Sequence, residues 1–268
     1  MGAQTTKLFK LIRGSAPLLI SVPHGGTFLP SDIAQRMADS ALRLPDTDWH
    51  LEQLYDFIDG LGASVIVAMH SRYVIDLNRP RDNRNLYPGQ DTTALCPLDT
   101  FDREAIYRDA LQPDADEIEA RIEKYWEPYH AALRSELGRL RERHDRVVLW
   151  DAHSIRSVVP RFFAGRLPDL NLGSVGATAC DEHLAQRLLR IADGHTRYSA
   201  VLDGRFKGGH ITRRYGRPAE GVHAVQLELA QLTYMQEQYP YTFDDSRAAA
   251  LRPVLLQMLS EALRWARE

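Results

Sequence analysis

Apolar residues along this chain fall into short unbroken runs, separated by longer segments in which they recur every three or four positions. The runs predict strands buried on both faces, and the spaced segments predict amphipathic helices. The first run, Leu18–Val22, reads LLISV and stops at Pro23, which has no N–H to continue a ladder. Ala63–Met69, Val147–Trp150 and Val222–Leu229 repeat the pattern, and Tyr73–Leu77 and Ser199–Leu202 are shorter candidates. Helices are expected over Ser31–Asp39, from Asp48 to about Leu61, over Asp114–His144 and over Asp181–Ile191. Ile118, Ile122, Tyr125, Tyr129, Leu133, Leu137 and Leu140 form the stripe of the longest, which Pro128 should kink or divide. A last helix is expected to begin near Pro253, a residue suited to a first turn. Arg81–Thr100 and Ile155–Ala177 carry neither pattern and read as irregular, the former long enough to be a functional excursion. Lys207–Gly216 reads as a turn-bounded loop or short strand.

Strands that alternate with helices give an α/β fold with a largely parallel central sheet. No linker or repeat interrupts the 268 residues, so residues 1–268 are expected to be a single domain. A net charge of -3 argues against a nucleic-acid surface, and no apolar run is long enough to span a membrane. Cys96 and Cys180 have no paired spacing, which predicts a reducing compartment, no disulfide and no thiolate zinc site. Met1-Gly2 with Thr6 fits the loose acylation pattern, but a cytoplasmic enzyme without a secretory signal explains the chain better. Oligomeric state is not legible.

The candidate chemistry sits where the strands end. His24 follows the first strand in PHGG, where Gly25 and Gly26 permit a sharp turn or a close backbone approach, and His153 follows the third in WDAHS. Open sheets place ligands at the carboxyl ends of their strands. Asp48 opens the helix after the first strand, so two imidazoles and a carboxylate converge with a coordination position to spare. That is the ligand set of a catalytic zinc. Glu228, near the end of the last strand, is placed to act as a base toward water. Each residue also has a simpler reading: Asp48 as a helix cap, Glu228 as an edge carboxylate paired with an arginine. Arg72, Arg79, Arg81, Arg84, Arg213, Arg214 and Arg217 cluster in sheet-edge loops and suggest an anionic substrate with two carboxylates, although Asp82 within RPRDNR implies some internal pairing.

Five blocks in order carry a family resemblance: PHGG at Pro23–Gly26, DTDWH at Asp46–His50, SRYVIDLNRPRDN at Ser71–Asn83, WDAHS at Trp150–Ser154 and FKGGHITRRYG at Phe206–Gly216. Together they resemble the N-formylglutamate amidohydrolases, whose fold is similar to that of zinc carboxypeptidases. The resemblance implies a three-layer sandwich with a mixed central sheet. It also implies hydrolysis of N-formyl-L-glutamate to formate and glutamate in histidine degradation. His24 and His153 would be the metal histidines, Glu228 the general base, and Asn78 with Arg79 the pair that grips a substrate carboxylate. Carboxypeptidases carry a glutamate three residues after the first histidine; Thr27 stands there, so the third ligand falls to Asp48, with Asp46 as its rival. His210 stands where a tyrosine is expected, its imidazole able to replace a phenol's hydrogen bond. Arg72 or the zinc would stabilise the oxyanion, and Arg213 is the candidate for the second carboxylate. The cofactor implied is Zn2+, with Co2+, Mn2+ or Fe2+ as alternatives. The competing readings are a related zinc amidohydrolase or carboxypeptidase for another N-acyl acidic amino acid, and a non-catalytic carboxylate-binding protein.

Overall fold

The LLISV run is one of the central strands of the sheet. In the computed structural model, which describes residues 7–268, the strands are β1 (Phe9–Ile12), β2 (Leu18–Val22), β3 (Ser64–Ala68), β4 (Val147–Ile155), β5 (Leu170–Gly173), β6 (Ala200–Leu202) and β7 (Val222–Ala230). They form one seven-stranded sheet in the order β1-β3-β2-β4-β7-β5-β6. The central four, β3, β2, β4 and β7, run parallel. β1 pairs antiparallel with β3 at one edge, and β5 pairs antiparallel with β7 before β6 closes the other. The expected mixed, mainly parallel sheet is therefore present. The acylation-like match at Met1, Gly2 and Thr6 lies outside the described residues.

The helices are α1 (Ser31–Ala34), α2 (Leu51–Leu54), α3 (Ala115–Arg121), α4 (Glu127–Arg141), α5 (Glu182–Gly194), α6 (His210–Tyr215) and α7 (Asp245–Arg267). They make two outer layers. Leu18, Ile20 and Val22 of β2, with Val148 and Trp150 of β4 and Val225 and Leu227 of β7, pack against α5 and α7. On the other face Leu19, Ile66, Leu149 and Ala224 meet Tyr129, Leu133, Leu137 and Leu140 of α4. Strands apolar on both faces are the signature of a sheet covered twice.

Near the strands' carboxyl ends that second face changes character. Leu19, Leu149 and Ala224 lie in register, and one step along the same face come Ser21, Asp151 and Gln226. One step further His153 stands opposite Glu228. Apolar packing gives way to a polar layer within a single strand spacing. The β2–β3 crossover leaves to one side of β2 and β4 joins on the other, so the gap above β2 and β4 is the switch point of the sheet.

Several sequence expectations change. Tyr73–Leu77 is a buried turn rather than a strand, its backbone held by local bonds and by the Leu95 carbonyl. The helix expected from Asp48 shrinks to α2 and a 3-10 segment, Asp56–Leu61. The helix expected over Ser31–Asp39 is only α1. The long helix divides as expected: a π turn at Ile122–Trp126 precedes Pro128, whose missing N–H would have interrupted regular winding. α7 begins at Asp245, not near Pro253, because Asp244 caps it by accepting from the Arg247 N–H at 3.0 Å. Pro253 sits inside this helix on an exposed face, where water can satisfy the carbonyl it frees. Cys96 and Cys180 are both buried and unbridged.

Candidate active site

His24 is delivered by β2 and fixed by the glycine pair next to it. Gly26 lies so close to the end of β3 that a Cβ there would stand 2.4 Å from the His70 carbonyl oxygen, so glycine is required for this approach. The chain then returns, and the Asp48 N–H donates to the His24 carbonyl at 3.1 Å. This bond places the Asp48 side chain against β4. Its Oδ2 is 3.1 Å from His153 Nδ1, 3.7 Å from His24 Nδ1, and accepts from the Ser154 N–H at 3.2 Å. All three side chains are buried, and they form a group of donor atoms able to hold a metal ion. Asp48 is not a helix cap: His50, with a left-handed backbone, precedes α2.

The far side of each imidazole is also occupied. His24 Nε2 donates to Asp76 Oδ1 at 2.7 Å, and His153 Nε2 lies 3.1 Å from Asp151 Oδ1. A carboxylate on one ring nitrogen fixes the tautomer and turns the other nitrogen's lone pair outward, the usual support for a metal-binding histidine. Here both Nδ1 atoms are aimed at one Asp48 oxygen. The donor set therefore fits a metal ion. Burial and the neighbouring Arg72 push His24 toward its neutral form. Burial acts the same way on His153, but Asp151 and Asp48 override it and raise the imidazole well above its ordinary value. Asp76 goes the other way: burial would raise it, yet His24 and Arg72 hold it well below the usual carboxylate range.

Asp46 plays a different part. Its Oδ2 accepts from Tyr73 Oη at 2.6 Å and from the Phe101 N–H at 2.9 Å, so it pins two walls of the site and stays outside the donor group. Burial pushes it up to about 6. Thr27 is exposed and contributes nothing.

Glu228 lies beside His153 in register and is buried in a central strand, without an arginine partner among the described residues. Gln226 Nε2 donates to its Oε2 at 3.3 Å. Burial first, then the Asp48 carboxylate, raise Glu228 above the usual carboxylate range, opposed by His153 and Arg72. A cleft of about 670 Å³, mouth included, opens over these groups, with Arg72, Asn78 and Arg79 in its wall. Arg72 is tied to Asp76 at 2.7 Å and lies 3.8 Å from Asp48. Asn78 Nδ2 is 3.1 Å from His153 Nε2, and its Oδ1 accepts from the Ile211 N–H at 2.8 Å. The arrangement is suited to hydrolysis of a small acidic amide: metal donors, a buried carboxylate and guanidinium groups share one chamber.

Comparison with known proteins agrees with this chemistry. The model of the N-formylglutamate amidohydrolase family matches residues 16–235. The chain belongs to that family. An N-formylglutamate deformylase of Pseudomonas putida is 50% identical over 262 residues, spanning 98% of both chains. Its counterpart from Pseudomonas aeruginosa is 50% identical over 256 residues, 96% of each. Among solved structures, an N-formylglutamate amidohydrolase from Ralstonia eutropha superposes with a TM-score of 0.83 at 24% identity, covering 97% of this chain and 98% of its own. A protein from Agrobacterium tumefaciens superposes at 0.73 with 18% identity, covering 98% and 97%. Both of these extend the likeness in fold across the chain.

The geometry gathers His24, Asp48, Arg72, Asn78, Arg79, His153 and Glu228 into one cleft. Arg213 is the exception. It is turned away from the cleft: its Nε donates to the Gly208 carbonyl at 2.9 Å and its guanidinium stacks on Tyr87 at 5.1 Å. The cleft's third arginine is Arg205, which sequence reasoning missed although it stands immediately before the FKGGHITRRYG block. His210 packs against Trp126 and His130, and its Nε2 has no hydrogen-bond partner among the described residues. Asp76 and Asp151 were also missed as supports of the histidines. Their positions inside the DLNRP and WDAHS blocks were the available signal.

Proposed function

We propose that the chain hydrolyses N-formyl-L-glutamate to formate and L-glutamate, the reaction named for its 50% identical relatives, as part of histidine degradation. His24, Asp48 and His153 hold a divalent metal, zinc first, with cobalt, manganese or iron(II) as alternatives. The observation that carries the reading is the shared aim of the two Nδ1 atoms at Asp48 Oδ2, with Asp76 and Asp151 behind them. When bound, such a cation polarises a carbonyl and makes water acidic enough to attack near neutral pH.

The remaining work belongs to the protein's own residues. Glu228 takes the proton from the attacking water and delivers it to the glutamate nitrogen as the C–N bond breaks, so formate leaves with the water oxygen. A carboxyl raised by burial suits both halves of that task, since it binds the proton firmly enough to return it. Gln226 holds one Glu228 oxygen and leaves the other for the reaction. Arg72, fixed beside Asp48, supplies positive charge near the developing oxyanion, a type of contribution worth roughly 3 kcal/mol per donor. Asn78 and Arg79 grip the α-carboxylate. A formyl group is too small to orient itself, and the acid groups of the substrate provide the binding energy that positions it.

The test is formate release from a panel of N-formyl and N-acetyl amino acids, using chelator-treated protein before and after adding zinc, cobalt or manganese. N-formylglutamate is expected to lead the panel, and activity is expected to return only with metal. Equal turnover of N-acetyl and N-formyl substrates would hand the assignment to a broader amidohydrolase.

A further inference from the structure

Three arginines face the cleft, and their pairing separates them. Arg72 is committed to Asp76 and Asp48. Arg79 has one side-chain bond, from its guanidinium to Thr93 Oγ1 at 3.3 Å. Arg205 has one as well, from Nε to the Phe162 carbonyl at 2.6 Å. Among the described residues, neither Arg79 nor Arg205 has a carboxylate within ion-pair distance. A partly buried guanidinium without an anion is costly, and burial pushes both groups below their ordinary pKa. The site thus keeps two uncompensated cations. A substrate with two carboxylates matches that number.

Arg205 is held for such a purpose. It follows β6 and lies against the rings of Phe206 at 5.3 Å, Tyr87 at 5.7 Å and Phe162 at 5.8 Å. With its Nε bond to Phe162, these rings fix the guanidinium plane and leave its terminal nitrogens for a ligand, the arrangement that favours a two-pronged carboxylate contact. Tyr87 is itself fixed, donating to the Gly208 carbonyl at 2.6 Å and resting on Arg213 from elsewhere. Arg213 therefore buttresses the wall that Arg205 uses.

We propose that Arg205 receives the side-chain carboxylate of the substrate and sets the preference for glutamate over glutamine. This rests on the reading above, in which Asn78 and Arg79 hold the α-carboxylate.

The test compares kcat/KM for N-formylglutamate and N-formylglutamine in the unmodified enzyme and in Arg205→Met, Arg205→Lys and Arg213→Met, with zinc content and melting temperature recorded for each. The unmodified enzyme is expected to prefer N-formylglutamate by at least about a hundredfold, because the neutral amide leaves a desolvated cation unpaired. Arg205→Met should cut kcat/KM for N-formylglutamate by a similar factor, mainly through KM, and change N-formylglutamine by less than about threefold. Arg205→Lys should keep part of the preference, and Arg213→Met most of it. An equal loss on both substrates in Arg205→Met, or a preference that collapses in Arg213→Met instead, overturns the assignment. If the unmodified enzyme releases formate from N-formylglutamate without preferring it over N-formylglutamine, the assignment alone falls. If it releases formate from neither, the underlying reading falls with it.

Discussion

Removing one carboxylate charge behind each histidine gives two variants with separable consequences. Asp76 Oδ1 accepts from His24 Nε2 at 2.7 Å and from the Asn78 N–H at 2.8 Å, while Oδ2 accepts from Arg72 at 2.7 Å. All three partners donate. An amide in its place turns an NH2 toward at least one of them and leaves buried Arg72 with the Asp46 carbonyl at 3.3 Å and, as its remaining carboxylate among the described residues, Asp48 at 3.8 Å. Breaking a buried ion pair from one side costs about 3–5 kcal/mol. Asp151 differs. Its Oδ1 faces His153 Nε2 at 3.1 Å and Ser21 Oγ at 3.4 Å, and its Oδ2 accepts from Thr212 Oγ1 at 3.0 Å. Hydroxyls can reverse and accept from a new amide, and Asp48 still faces His153, so Asp151→Asn should cost less, about 1.5–3 kcal/mol, the worth of a hydrogen bond to a charged group. Metal affinity should fall in both, by about 10–100-fold, because both carboxylates orient a ligating imidazole. Zinc competition against a chromogenic chelator measures the affinity, and urea unfolding of the metal-free proteins measures stability. Unchanged zinc affinity in Asp76→Asn would show that His24 does not bind through the nitrogen opposite Asp76. Equal losses of apo stability in the two variants would refute the argument from donor count.

Glu228→Gln should retain zinc, measured by elemental analysis, and lower kcat by at least about a hundredfold, the usual worth of a positioned base; a near-normal kcat removes Glu228 from the mechanism. Gly209→Ala would bring a Cβ to 2.3 Å from Asn78 Nδ2, so steady-state kinetics should show KM for N-formylglutamate rising about tenfold or more as Asn78 is pushed aside; an unchanged KM would mean that Asn78 does not touch substrate. Glu117, bonded first by Arg36 and then opposed by burial and helped by Arg121, is held down to about 2 from its ordinary 4.5. Its stabilisation is complete above pH 4.5 and is lost as pH falls toward 2, so Glu117→Gln should cost about 1–2 kcal/mol at pH 7, discounted for partial exposure, and almost nothing near pH 2. Urea denaturation across that range reads the difference, and a gap that persists at the acid end contradicts it.

The parts of the fold that could be read early were those specified by local pattern. LLISV, SVIVA and VHAVQLEL are buried on both faces, and such runs admit few other structures. The elements that escaped depend on partners far away in the chain. β1 is four residues long with alternating exposure and is a strand because β3 offers it an edge. β5 lies inside a stretch that reads as irregular, and Asn171 there donates to the Glu228 carbonyl of β7. α6 has no capping residue of its own: the Ile211 N–H is satisfied by the Asn78 side chain, 133 positions earlier. No local reading of GGHITRRYG contains that information.

The same division runs through the site. His24 and His153 were legible because a histidine at the carboxyl end of a buried apolar run is a local feature, although β4 runs on through His153 to Ile155 instead of stopping before it. Asp48 was legible only as a candidate, since a helix cap and a metal ligand look alike until the return of the chain is known; the bond from its N–H to the His24 carbonyl takes it out of the cap position and brings its carboxylate to the two histidines. The arginines show the limit. Sequence supplies many guanidinium groups near the sheet edge and no means of telling which are already neutralised. Arg81 meets Glu119 and Glu127, Arg84 meets Asp82, and Arg217 meets Glu220, each on the surface and each spent. What marks Arg79 and Arg205 is a missing partner inside a desolvated cleft, and that property belongs to the folded arrangement of several loops. On the proposed reading, charge recognition is determined by subtraction: of all the cations the chain carries toward the strand ends, the ones left unpaired in the cleft are those available to substrate.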